Sequence, residues 1–135
     1  MQTMPYPGIG VGVYIKKSDK VLLGLRKGGH QPGSWCAPGG KLEMFESWEH
    51  CALRETTEET GLRIKNLRMI GVTDDPHPPL HFITIAFSAD WESGEATLVE
   101  PDKFIEWGWF LWNDLPTPLF IPTQNFVNLG IHPFD

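Results

Sequence analysis

Glu55, Glu58 and Glu59 are spaced so that a helix would bring them to one face, and carboxylates gathered on one face can hold a metal ion. Walking forward from Trp48 at about 3.6 residues per turn puts Trp48, Cys51, Ala52, Glu55, Glu58, Glu59 and Leu62 on a single stripe. The stripe is apolar at both ends and acidic in its middle. A solvated acidic face would lie opposite the apolar residues, whereas this one continues their line. Crowding acids on a half-covered face raises repulsion and desolvation cost unless a cation compensates. Ligands that are all oxygen point to a hard divalent ion, Mg²⁺ or Mn²⁺, and away from zinc. Just upstream, Pro38-Gly39-Gly40 predicts a tight turn where backbone approaches an anion or offers a carbonyl to a metal. A glycine turn leading into such a helix suggests chemistry on phosphate oxygens.

The elements that must position these groups are legible from pattern. Ser47 reads as an N-cap and Gly61 as the residue just past the helix end, which bounds a helix over Trp48–Thr60. Residues 8–17 and 20–27 alternate or run apolar around Ser18-Asp19, a hairpin signal. Residues 28–34 read as a loop, followed by a short strand ending at Ala37. Strands are expected over 67–72 and 81–89, separated by a proline-rich segment, 74–79, that reads as irregular. Residues 92–95 read as a turn. Residues 104–112 carry aromatics on both faces and predict a strand buried in a mixed sheet, and 123–129 a short C-terminal helix. The order suggests an α/β fold with a mixed sheet packed between helices.

Composition bounds the partners. The chain has 135 residues, of which 41% are hydrophobic, enough for one folded domain over 1–135 with its own core. The formal charge of −6, with no run of Lys or Arg, argues against a polynucleotide backbone as partner. A small anionic substrate then needs local positive charge from metal, Arg26, Lys27 or Lys41. No apolar stretch long enough to span a membrane and no signal-peptide layout is present in the sequence. Cys36 and Cys51 lack metal or redox spacing, which favours free thiols in a reducing cytoplasm.

From Gly40 through Glu46 to Arg54-Glu55-Thr56-Thr57-Glu58-Glu59-Thr60-Gly61-Leu62, the chain resembles the Nudix box, GX5EX7REUXEEXGU. Every fixed letter is present at its spacing. Thr56 stands at a packing position where the family usually carries a bulky aliphatic residue. The resemblance implies an α/β/α sandwich and metal binding by Glu55, Glu58 and Glu59 with the Gly39 carbonyl. Glu46 is expected to support the loop or the outer shell of the metal, Arg54 to orient the acids, and Gly40 to let backbone approach the substrate.

In the MutT-like branch an arginine matching Arg26 meets the phosphate chain. Members often recruit a further acid outside the box as ligand or base; Glu100 is the choice here and Glu106 the runner-up. Trp107 and Trp109 read as sheet packing rather than base stacking. Phe120, after Leu115-Pro116-Thr117-Pro118, is the candidate for the base pocket. Leu119 stands near where some members place an asparagine that reads oxidised guanine, and it lacks the hydrogen-bonding groups for that task. His77 and His81 read as loop residues despite a spacing that zinc sites also use.

The resemblance therefore implies a Mg²⁺-dependent nucleoside triphosphate pyrophosphohydrolase. It would release (d)NMP and pyrophosphate with broad base tolerance, in nucleotide-pool sanitation or balance, and several members of that branch are homodimers. Two rivals stay open. One is a hydrolase of ADP-ribose or a nucleotide sugar, in which extra N-terminal structure for dimerisation is usual and is not expected here. The other is a non-catalytic ligand sensor, which would not need all four box glutamates.

Overall fold

The computed structural model describes residues 5–134 and contains one mixed sheet and two helices. The strands are β1 (Gly8–Lys17), β2 (Lys20–Arg26), β3 (Trp35–Cys36), β4 (Gly39–Lys41), β5 (Arg63–His77), β6 (Leu80–Ser93) and β7 (Phe104–Leu111). The helices are α1 (Trp48–Thr60), between β4 and β5, and α2 (Ile121–Asn128). The sheet runs β3-β2-β1-β6-β5, with β4 also paired to β1 and β7 to β2. None of the helices among the described residues is long and apolar enough to cross a membrane.

Strand β1 organises the site. It pairs in parallel with β6 from Gly8 to Lys16, which occupies one of its edges. The other edge is divided: β2 pairs with Lys16 and Lys17, β4 with Gly10 to Gly12. The sheet forks between those two partners, and the chain crosses the fork through Ala37-Pro38, with Val13 N–H donating to the Pro38 carbonyl at 2.8 Å. Gly39 can lie this close to β1 only without a side chain, since a Cβ there would sit 1.9 Å from the Val11 carbonyl oxygen. The expected tight turn at Gly39-Gly40 is thus a short strand.

Side chains of opposite parity on β1 feed two cores. Val11, Val13 and Ile15 join Ile85, Phe87 and the α1 residues Cys51 and Ala52 on one face. Tyr14 joins Ala86, Leu23 and the α2 residue Phe126 on the other. Tyr14 and Phe126 stack with ring centroids 4.6 Å apart. Each helix therefore closes one face of the sheet, which is the α/β/α sandwich.

Helix α1 begins and ends where the capping residues place it. Ser47 accepts from His50 N–H at 3.1 Å, a cap worth about 1 kcal/mol. Gly61 takes φ of 75° and closes onto the Thr57 carbonyl. The buried face is Cys51, Ala52, Thr56, Glu59 and Thr60, so it is turned from the expected stripe. Trp48 is 45% exposed because it sits in the first turn, ahead of the residues that touch the sheet. The hydroxyls of Thr56 and Thr60 donate to the carbonyls one turn back, at 2.8 and 2.6 Å. That satisfies them in the interior, which explains how threonine serves where an aliphatic residue is usual.

Two expectations about strands are corrected. Strand β5 continues through Asp74, Asp75 and Pro76 to His77, and only Pro78-Pro79 separate it from β6. Proline is tolerated there because β5 is the outer strand and the missing N–H costs no ladder bond on its open side. His77 and His81 are therefore strand residues near a turn. Strand β7 is half-buried rather than covered on both faces, and among the described residues β2 is its only strand partner. Trp107 and Trp109 nevertheless pack against the core, as their alternation suggested.

Candidate active site

A cavity of about 840 Å³ opens at the fork of the sheet. Glu55 and Glu59 reach it from adjacent turns of α1, and Gly39 and Gly40 form the wall they face. Glu59 is 6% exposed and accepts from Gly39 N–H at 2.8 Å. Glu55 lies so close to Gly40 that a Cβ there would stand 2.2 Å from Glu55 Oε2. Gly40 thus makes room for the Glu55 carboxylate, while Gly39, bare because β1 lies so close, offers its N–H to Glu59.

The charges at this point are strained. Burial pushes the Glu59 carboxyl up to about 8, the Gly39 N–H opposes that shift, and the nearby charges of Glu55 and Glu100 add to it. Burial also raises Glu55, while Arg54 draws it down. Arg54 is itself clamped. Its guanidinium takes Glu46 through Nε at 2.6 Å and Nη2 at 3.0 Å, and its Nη1 meets Glu55 at 2.6 Å and Glu58 at 3.2 Å. The Arg54 guanidinium holds Glu46 well below the usual carboxylate range, and His50 and the Glu43 N–H bond to the same side chain.

The structure thus gathers Glu55, Glu59, Gly39 and Gly40 at one wall and sets Glu46 and Arg54 directly behind. Glu58 is exposed, faces Arg54 and does not line the cavity, so the expected trio of acids is a pair here. Among the described residues no three His, Cys, Asp or Glu side chains form a ready-made metal cluster. Two carboxylates, raised by burial and set against bare backbone, still fit a hard divalent ion. Mg²⁺ in particular is commonly held by one or two carboxylates, with waters and substrate phosphates completing its shell.

The remaining walls supply positive charge and flat apolar surface. Arg26 lies with its guanidinium carbon 4.1 Å from the centre of the Phe120 ring, and Arg26 Nε donates to the His30 carbonyl at 2.7 Å. Lys41 lines the cavity beside Phe82; Lys27 does not. Glu100 stands just outside, half-buried, in an ion pair with Lys103 at 3.2 Å, and its charge is felt by Glu59. Glu106 is on β7 opposite Leu25, exposed and away from the cavity. Leu119 packs into the α2-side core.

Sequence reasoning missed Lys103, Gln31 and Asp75, which all line the cavity. Lys103 had a local signal, being three residues past Glu100. Gln31 accepts from Ile121 N–H across 90 positions of sequence, at 3.0 Å, and nothing local announces that.

Comparison with known proteins decides the family. A model of the NUDIX domain matches residues 6–129. The chain belongs to the Nudix family. It is 35% identical over 113 residues to the NAD-capped RNA hydrolase NudC of Citrobacter koseri, a match that covers 82% of this chain and 42% of that protein. The NudC of Escherichia coli SMS-3-5 is 34% identical over the same length. The chain thus spans less than half the length of these relatives. Among solved structures, a MutT NUDIX hydrolase from Burkholderia pseudomallei superposes with a TM-score of 0.85 at 32% identity, covering 93% of this chain and 97% of that one.

Proposed function

We propose that the protein hydrolyses a phosphoric anhydride bond of nucleoside triphosphates, releasing a nucleoside monophosphate and pyrophosphate, with Mg²⁺ as its natural metal and Mn²⁺ as a substitute. The observation that carries this reading is the pairing of Glu55 and Glu59 against Gly39-Gly40, in a cavity whose other walls hold Arg26, Lys41, Lys103 and the rings of Phe82 and Phe120. Acids for a metal, cations for phosphates and flat apolar surface for a base share one space.

In this proposal Glu55 and Glu59 hold the ion, with backbone at Gly39 as a further oxygen donor. When bound, the ion supplies Lewis-acid stabilisation of charge on the phosphate oxygens. Arg26 and Lys103 position the phosphate chain, and Phe120 keeps the Arg26 guanidinium in place. Arg54, clamped by Glu46, fixes the orientation of Glu55; Glu58 supports Arg54 from the solvent side. Glu100 is the acid outside the box. It takes the proton of a water whose oxygen forms a bond to phosphorus, while the bridging P–O bond breaks and its electron pair goes to the departing phosphate group, monophosphate or pyrophosphate according to the phosphorus attacked. Lys103, 3.2 Å away, keeps Glu100 aimed. The apolar share of the cavity favours tolerance of several bases, as in nucleotide-pool sanitation. Buried free thiols at Cys36 and Cys51 are in keeping with a cytoplasmic enzyme, and a homodimer accords with the resembled branch.

A second reading has a specific observation behind it. The 35% identity to NudC favours a dinucleotide with an internal pyrophosphate, such as NAD, as substrate. The formal charge of −6 sets this chain against an RNA body beyond such a cap. One panel separates the readings: (d)NTPs, NAD, ADP-ribose and a nucleotide sugar, each with Mg²⁺ and with products resolved by chromatography. The expected result is monophosphate and pyrophosphate from several (d)NTPs, with kcat/KM values within about two orders of magnitude of one another. If NAD or ADP-ribose exceeds every triphosphate, the dinucleotide reading replaces this one. Absence of turnover on all of them would make the chain a sensor.

A further inference from the structure

Asp75 lies on the outer strand of the sheet, yet its side chain is 3% exposed and faces the cavity. No cation forms an ion pair with it among the described residues. Three neutral donors hold it instead. Thr73 and Thr84 hydroxyls donate to Oδ2 at 3.1 and 2.6 Å, and the Asn125 amide donates to Oδ1 at 2.9 Å. Burying a carboxylate without a cation is costly. An amide could take the two hydroxyls on its oxygen, but its NH2 could not accept from Asn125, so three donors call for a carboxylate. A carboxylate offers about four acceptor positions, so three donors leave one on Oδ1 to be filled.

The setting indicates what fills it. Thr84 is paired with Gly10 across β6 and β1, and Gly10 is paired with Lys41 on β4. Asp75 itself is paired with Phe82, two residues before Thr84, so it lies at least three strand spacings from the Gly39-Gly40 wall, roughly 14 Å across the sheet, room for a phosphate chain and a sugar between them. The floor along the way is bare at Gly10 and Gly12. A Cβ at either would meet Thr84 at 3.7 and 3.8 Å, ordinary contact, so packing does not demand glycine there. What the missing side chains provide is open, flat space, flanked by Phe82 and Ile121.

We propose that Asp75 determines specificity by accepting a hydrogen bond from the exocyclic amine of a nucleobase lying over Gly10 and Gly12. This rests on the reading of the cavity as a nucleotide site, and it goes beyond it: tolerance extends over amine-bearing bases and stops at bases that present only carbonyls on that edge. Asp75 acts on recognition and stands far from the reacting phosphorus.

The test uses three pairs of nucleoside 5′-monophosphates that differ by the amine alone: AMP and purine riboside monophosphate, GMP and IMP, CMP and the 2-pyrimidinone riboside monophosphate. Dissociation constants are read from tryptophan fluorescence of the whole protein. The amine-bearing member should bind about 10- to 100-fold tighter in at least one pair, as expected for a hydrogen bond to a charged acceptor. Asp75→Asn should bring that ratio to within about twofold while leaving the partner without the amine unchanged. Asp75→Ser, which removes the carboxylate and keeps a small hydroxyl, serves the same comparison if the asparagine variant does not fold. Ratios near one in all three pairs, ratios that survive both substitutions, or no binding of any of the six would overturn the inference. Monophosphates contain no anhydride bond, so the outcome does not depend on which bond the enzyme cleaves. A protein that hydrolyses NAD alone but keeps the amine preference would sink the triphosphate reading and leave Asp75 standing.

Discussion

At one end of the cavity Glu55 and Glu59 come from adjacent turns of a single helix; at the other, Asp75 is held by residues at positions 73, 84 and 125, drawn from two strands and α2. Both ends bury carboxylates, but their needs differ. Burial raises both helix acids; Arg54 meets Glu55, the Gly39 N–H meets Glu59, and Lys103 opposes the rise in both from a distance. Asp75 is satisfied by neutral donors save for one position. The first end is short of positive charge and the second is short of a single donor. Carboxylates of equal chemistry are thereby assigned to different work by their neighbours.

The largest test of this contrast is Glu59→Gln. An amide keeps the shape and one acceptor for the Gly39 N–H, and loses the charge. Turnover with Mg²⁺ should fall by about 10²–10⁴. The circular dichroism spectrum should be unchanged, and the melting midpoint in EDTA should equal or exceed that of the wild type, because a buried charge has been removed. Undiminished activity in the variant, or full wild-type turnover in excess EDTA, would break the assignment of the acidic end.

The same contrast explains what could be read before the structure. The bounds of helix α1 were legible because its cap, its acids and its closing glycine are neighbours in sequence, and the family resemblance rests on that stretch; its buried face was not. The β1–β2 hairpin was legible for the same reason. Asp75 was not. Its segment reads as proline-broken, and only the position of β5 at the edge of the sheet lets Pro76 lie within a strand. Its three partners have no sequence relation to one another beyond the fold that joins them. Strand β4 was hidden by its composition: Gly39-Gly40 reads as a turn until the approach of β1 shows why no side chain is allowed. The pairing of Arg54 with Glu58 was visible at helical spacing, whereas the turning of Glu58 out of the cavity depends on how α1 sits on the sheet.

Glycines at the two ends offer a sharper comparison of intermediate size. In Gly40→Ala the new methyl would lie 2.2 Å from Glu55 Oε2, so the carboxylate must move. Displacements of about 1 Å at a catalytic group can cost about 10² in rate, and kcat should fall by about that much. In Gly12→Ala the methyl would stand 3.8 Å from Thr84 Cγ2, with no clash. That variant raises the floor beneath the base, and should raise KM with kcat within about threefold of wild type. Steady-state kinetics on both variants decides it. Equal losses of kcat would mean that the acidic end is not set by the bare backbone at Gly40.

The smallest expected effect belongs to Phe120, which lies between the two ends. Its backbone opens α2, and its N–H donates to the Trp35 carbonyl at 2.8 Å. The side chain makes no capping bond, so Phe120→Ala leaves the helix start intact. What it removes is the ring beneath the Arg26 guanidinium, 4.1 Å away. A cation–π contact at a partly exposed site is worth about 0.5–1 kcal/mol, or roughly two- to fivefold in binding. Arg26 keeps its bond to the His30 carbonyl and stays near the phosphates, though less well fixed. KM should therefore rise by about two- to fivefold for every nucleotide, with kcat little changed and the amine preference attributed to Asp75 intact. A loss confined to one base would show that the ring reads bases directly and that recognition is divided between Phe120 and Asp75. A loss of kcat shared by all bases would instead place Arg26 among the groups that act in the transition state, and tie this middle ground to the acidic end.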